Sequence, residues 1–210
     1  MNVPEEIHGP GRSQIEIENA ALQAEAGALR SFIHALKSLM DALESPRAES
    51  EILEILESVL GNAIRAVNAR DGSLLIPDSR TGELVFVIVR GETANNALIG
   101  KRIPTGKGVA SWVAATRRAV IVNNAAADER FYDRLDQEIR YKTDSLLAAP
   151  LIGGGRVIGV IEVINKNDGK LFTMGNQTLL SVMCRFAGEL LYTVVNDNNL
   201  AASGFLRKFR

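Results

Sequence analysis

The stretch "RVIGVIEVINKNDGKLFT", Arg156–Thr173, decides the fold. From Val157 to Ile164 it is rich in β-branched residues, and apart from Glu162 both of its faces are apolar. Such a strand must be covered on both sides. After Lys166, "NDGK" turns the chain and "LFT" leads into a helical pattern, with Gly169 supplying the φ > 0 option that a tight turn needs. The polar knot at Asn165 and Lys166 is therefore either a site or a latch between strand and helix.

Working outward, "SLLAAPLI" precedes this strand across a turn at Gly153–Gly155, and the two form a long hairpin. Earlier, "GSLLIPDSRTGELVFVIVRG" places two apolar runs around a Gly-containing loop and reads as another hairpin. Short strands are expected near Lys101–Ile103 and at "AVIV", a helix at "GVASWVAATRR", and one or two helical turns within "NNAAADERFYDRLDQEIRYKTD". Ile52, Leu56, Val59, Ala63 and Val67 form the stripe of a helix starting at Pro46, with Ser45 as N-cap. A final helix from about Met174 to Asn198 puts Leu179, Met183, Phe186 and Leu190 on its inner face. The end helices can cover one face of the sheet. The irregular stretch from Ala94 to Thr143 must then cover the other, and a loop-built roof favours a cavity.

Residues 1–12 read as a disordered lead-in, rich in Gly, Pro and charge. From Ser13, Ile15, Leu22, Leu29, Leu36 and Leu43 recur at heptad spacing, with Asn19, Ala26, Ile33 and Met40 at the matching second position. The pattern predicts a parallel coiled-coil dimer over 13–45, with Asn19 setting register. The alternative is a helix laying its stripe on its own domain. The globular part spans 46–198, and residues 199–210 form a basic, apolar tail, a linker or docking peptide.

The 210 residues are 46% hydrophobic and 23% charged, with a net charge of -1, a globular composition without the field that draws a chain to nucleic acid or anionic membrane. No secretory leader and no 18-residue apolar span is evident, so a cytoplasmic location is expected. "GKRIPTGKG" is not a P-loop, because the glycine spacing is wrong and Gly108 stands where Ser or Thr would bind Mg²⁺. His8 and His34 lie in the lead-in and the heptads, and Cys184 sits alone in an apolar helix, so no metal site and no catalytic Ser/His or Cys/His set can be assembled. Most carboxylates belong to surface patterns such as "DERFYDRLDQE". Glu162, in mid-strand, needs either a cationic partner or a ligand.

The order of elements, with "ARDGSLLIPDSRTGEL", "RIPTGKGVASWVAATRRAVIVNNAAADERF", "YKTDSLLAAPLI" and "RVIGVIEVINK...LFT", resembles the GAF domain over about Glu51–Leu191. The resemblance implies an α+β fold: a six-stranded antiparallel sheet with terminal helices on one face and a roofed small-molecule pocket on the other. It also implies a sensory, non-catalytic role and dimerisation through the end helices. Asn165, Lys166 and Phe172 resemble the Asn-Lys...Phe motif of GAF domains in cyclic-nucleotide phosphodiesterases and cyclases, which ties strand to helix outside the pocket; its acidic pair is replaced here by Asn176 and Gln177. By the same resemblance the ligand-facing positions are Ser73, Val109, Ala110, Asn124, Ala125, Phe131, Thr143 and Glu162. A cyclic nucleotide or another metabolite is the implied ligand, with no haem, bilin or metal, and signalling passes to a partner protein. The alternative is a GAF fold kept for dimerisation, without a ligand.

Overall fold

The computed structural model describes residues 49–93 and 96–197, together with scattered helical residues between positions 15 and 37. In chain order the elements are α1 (Glu49–Ala66), β1 (Ala69–Pro77), β2 (Leu84–Gly91), β3 (Arg102–Ile103), α2 (Gly108–Thr116), β4 (Val120–Val122), α3 (Arg134–Ile139), β5 (Leu146–Gly153), β6 (Arg156–Lys166) and α4 (Met174–Asp197). The six strands form one antiparallel sheet in the order β3-β2-β1-β6-β5-β4. This is the α+β architecture expected. β6 lies at its centre, paired with β1 and β5.

Strand periodicity splits the apolar residues between two cores. Leu74, Leu147 and Ile161 point into the first, with Leu60 of α1 and Leu180 of α4. Their chain neighbours Leu75, Ala148 and Val160 point into the second, with Val113 of α2 and Phe86. A central strand apolar on both faces is the result. Between Leu74 and Leu75 the pairing register with β2 slips, so Val87 stands opposite no residue of β1. A β-bulge of this kind sharpens the local twist of the sheet.

α1 buries Leu56, Val59 and Ala63 of the expected stripe, and Val67 is buried just past its last residue. It ends at Ala66, short of Asn68, which takes a left-handed φ of 54° before the first strand. The inner face of α4 departs from expectation. Leu180, Met183, Cys184, Ala187 and Leu191 are buried, whereas Leu179 and Leu190 are half-buried and Phe186 is 51% exposed. The reason is steric. A Cβ on Gly188 would lie 2.6 Å from the carbonyl carbon and the amide nitrogen of Ile152, so the helix approaches β5 on its small-residue side.

Of the heptad positions, Ile15, Asn19, Ala26 and Ile33 are helical and exposed. Leu22, Leu29, Leu36, Met40 and Leu43 lie outside the described residues, as do the lead-in, the Ser45–Pro46 cap, Asn198 and the tail.

Candidate ligand cavity

A cavity of about 80 Å³ lies between the sheet and its roof. Its floor comes from β1 and β6. The roof comes from the first turn of α2, the Phe131–Tyr132 segment, α3 and the run from Tyr141 to Thr143. Five residues named from the sequence line it: Ser73, Val109, Phe131, Thr143 and Glu162. Three do not. Ala110 and Ala125 are wholly buried in the second core, and Asn124 is exposed before the 3-10 turn Ala125–Ala127. That turn brings Ala125 inward as packing and leaves Asn124 exposed, outside the cavity lining.

Ser73 and Glu162 are register partners on adjacent antiparallel strands, so their side chains stand side by side on the cavity face. Ser73 is 2% exposed, and its hydroxyl oxygen has no hydrogen-bond partner. Glu162 is 8% exposed, and its carboxyl receives no hydrogen bond from any described residue. Burial, and secondarily the Asp136 charge, pushes its pKa up to about 7. Among the described residues no Lys, Arg or His lines the cavity, so none of them supplies the cationic partner considered for Glu162.

Two further acids face the same space. Asp71 at the start of β1 accepts hydrogen bonds from the Thr93 amide (2.8 Å), the Thr93 hydroxyl and the Tyr141 hydroxyl (2.7 Å). Asp136 of α3 accepts from the Thr143 amide at 2.8 Å, and burial raises its pKa. Burial, with Asp71 beside it, also raises the Tyr141 phenol. Sequence reasoning missed all three, Asp71, Asp136 and Tyr141. Asp136 sits in a run that reads as a solvated surface, and only the short α3 helix, which packs Leu135 inward, carries its neighbour to the cavity.

The Asn165–Lys166–Phe172 knot divides its work. Asn165, in the left-handed region at φ 50°, accepts from the Asp144 and Ser145 amides at 2.9 and 3.1 Å. Its amide group donates to the Lys142 carbonyl at 2.9 Å and the Tyr141 hydroxyl at 3.2 Å. It thus clasps the roof to β6 rather than strand to helix. Lys166 does reach α4, donating to the Asn176 side-chain Oδ1 at 3.5 Å. Buried Phe172 is held through its backbone by Asn123, which accepts from its amide at 2.9 Å and donates to its carbonyl at 3.0 Å. Asn123 carried no signal in the sequence, because the reciprocal pair joins residues far apart in the chain.

The roof has its own staple. Arg130 pairs with Asp128 through two side-chain bonds, at 2.8 and 2.6 Å, and its guanidinium stacks 4.8 Å above the Trp112 ring of α2. This holds Phe131 over the cavity. Among the described residues no group of three or more His, Cys, Asp or Glu is placed to hold a metal ion, and no helix is long and apolar enough to cross a membrane.

The sequence model of the GAF domain family matches residues 51–191, and the chain belongs to that family of small-molecule-binding regulatory domains. Among curated proteins it is 28% identical over 146 residues to the probable 3',5'-cyclic phosphodiesterase pde-5 of Caenorhabditis elegans, covering 66% of this chain and 20% of that protein. It is 35% identical over 88 residues to the rod cGMP-specific 3',5'-cyclic phosphodiesterase subunit alpha of Bos taurus, covering 42% of this chain and 10% of that one. The chain therefore spans a fifth or less of the length of these relatives. Among solved structures it superposes on the GAF domain of a phosphoenolpyruvate-protein phosphotransferase from Coxiella burnetii with a TM-score of 0.64 and 18% identity, covering 81% of this chain and 98% of that one. A free methionine-R-sulfoxide reductase from Neisseria meningitidis, solved with its substrate, gives 0.65 and 19%, covering 82% and 92%. At such identities these structures speak for the fold alone.

Proposed function

We propose that this chain is a non-catalytic, dimeric, cytoplasmic sensory module that binds a small ligand beneath its roof and passes occupancy to a partner protein through its end helices. The observation that carries this reading is the Ser73–Glu162 pair. A fold kept only for packing would place apolar residues on that central rung, because an unpartnered buried hydroxyl and carboxyl each cost about 1–3 kcal/mol. A ligand offering hydrogen-bond donors removes the cost. On the opposite wall Gly108 and Val109 begin α2, whose first turn has no side-chain cap, so its amides suit an anionic group. Relatives named as cyclic phosphodiesterases make cyclic GMP and cyclic AMP the first probes.

A cavity of about 80 Å³ is smaller than the roughly 300–1,000 Å³ of ordinary ligand sites, so the roof must move outward on binding. The same volume favours the second reading, a ligand-free dimerisation module. Thermal unfolding with each nucleotide separates them. At one hundred times Kd a ligand should add about 2.7 kcal/mol of stability to the wild type. Glu162→Ala and Thr143→Ala should lose that gain, and an equal gain in both variants would remove the pocket assignment.

The relay has a physical route. Arg117, the left-handed cap of α2, donates to the Gly155 carbonyl at the tip of the β5–β6 hairpin. The next turn residue, Gly154, donates its amide to Glu189 of α4 at 3.1 Å. Movement of α2 at the cavity is thereby felt at α4. Val182, 38% exposed, places an apolar side chain on the outward face of α4, where a second copy can pack. The heptads supply the other half of the dimer. Leu29→Asp should yield a monomer in sedimentation equilibrium, whereas an unchanged dimer would move the interface away from them.

A further inference from the structure

We propose that the ligand head which enters this cavity is a small, planar organic cation of the amidinium or guanidinium class. This rests on the small-ligand reading above and narrows it. Three acids line the cavity, Asp71 from β1, Asp136 from α3 and Glu162 from β6, and among the described residues no basic side chain lines it. Asp71 and Asp136 already accept bonds from Thr93, Tyr141 and Thr143. Glu162 is the carboxylate left with its acceptor capacity unused, and the Ser73 hydroxyl beside it is unpartnered.

A carboxylate presents two coplanar acceptors, which match two parallel N–H donors on a planar head. The hydroxyl adds an acceptor at the edge of that plane. The aromatic part of the lining suits a positive charge. Phe86, Phe131, Tyr132 and Tyr141 supply aromatic rings, whose faces attract cations, and no cationic side chain among the described residues lines the space. An anion placed at this end would meet three carboxylates, and a neutral head would leave their field uncompensated. The cavity's volume of about 80 Å³ limits the head to a few heavy atoms.

The test uses the full chain and methylguanidinium chloride at low millimolar concentration, with sodium chloride as the ionic-strength control, followed by saturation-transfer NMR and calorimetry. Because Glu162 titrates at about 7, binding should be about tenfold tighter at pH 8 than at pH 6. Glu162→Gln should abolish both the binding and its pH dependence, and Ser73→Ala should weaken it severalfold. Circular dichroism of each variant confirms folding. Cyclic GMP and cyclic AMP are titrated in parallel. Binding of a nucleotide without methylguanidinium would overturn the cationic head and leave the small-ligand reading standing. Binding that survives Glu162→Gln at all pH values would overturn it too. Binding of none of the three would overturn both readings in favour of an empty module.

Discussion

Gly188→Ala is expected to destabilise the domain by about 2–4 kcal/mol, lowering Tm by roughly 5–15 °C in a thermal melt. Helix propensity argues the opposite. Alanine is favoured over glycine by about 1 kcal/mol inside a helix, and Gly188 lies well within the 24 residues of α4. The new methyl, however, would lie 2.6 Å from the Ile152 carbonyl carbon and amide nitrogen and closer still to its carbonyl oxygen, where nothing flexible can give way. Overpacking therefore outweighs propensity. Either α4 lifts from β5 and opens the first core around Leu180 and Cys184, or the β5–β6 hairpin shifts. Gly175→Ala, near the start of the same helix, is the control, because a Cβ there meets only the Thr173 hydroxyl oxygen at 3.6 Å. It should be neutral or mildly stabilising. Equal effects at the two glycines would show that the close approach of α4 to β5 is not what holds the helix.

Glu162→Gln should stabilise the ligand-free protein by about 3 kcal/mol at pH 8 and by less than about 1 kcal/mol at pH 5. The carboxyl titrates at about 7 in the folded chain and near 4.5 when unfolded. Above pH 7 the folded state holds a charge that burial opposes, which lowers stability. As pH falls from 7 towards 4.5 the folded state takes up a proton that the unfolded chain does not yet bind, so stability rises. Glutamine carries no charge at any pH, and its advantage fades over that same window. The groups facing Glu162 are Asp71, Asp136, Tyr132 and Tyr141. Chemical denaturation of both proteins at the two pH values gives the difference directly. A gap that stays constant with pH would mean that Glu162 is not held uncharged by burial.

A residue that burdens the empty fold in this way is a reason to look for what binds it. The same argument explains how the site could be partly read before the structure. Glu162 was conspicuous because it interrupts an apolar strand, and Ser73, Phe131 and Thr143 followed from matching blocks around it. Asp136 and Tyr141 were not conspicuous. They lie in polar, irregular sequence whose inward side depends on where a six-residue helix lands. The heptads are the converse case, a pattern plain in the residues whose proposed partner is a second chain.

By itself the sequence determined the alternation that sorts Leu74 from Leu75 and Val160 from Ile161, hence a sheet covered on both faces, and with it the order of strands and helices. Those are local properties, set by periodicity and turn chemistry along the chain. Only the tertiary structure decided that Asn165 clasps the roof, that Asn123 holds Phe172 and that the small side of α4 faces β5. It also decided that three acids meet in one cavity with no base among the described residues that line it. Each depends on a contact between segments distant in sequence. Such contacts are set by packing, and packing leaves no period in the chain to read.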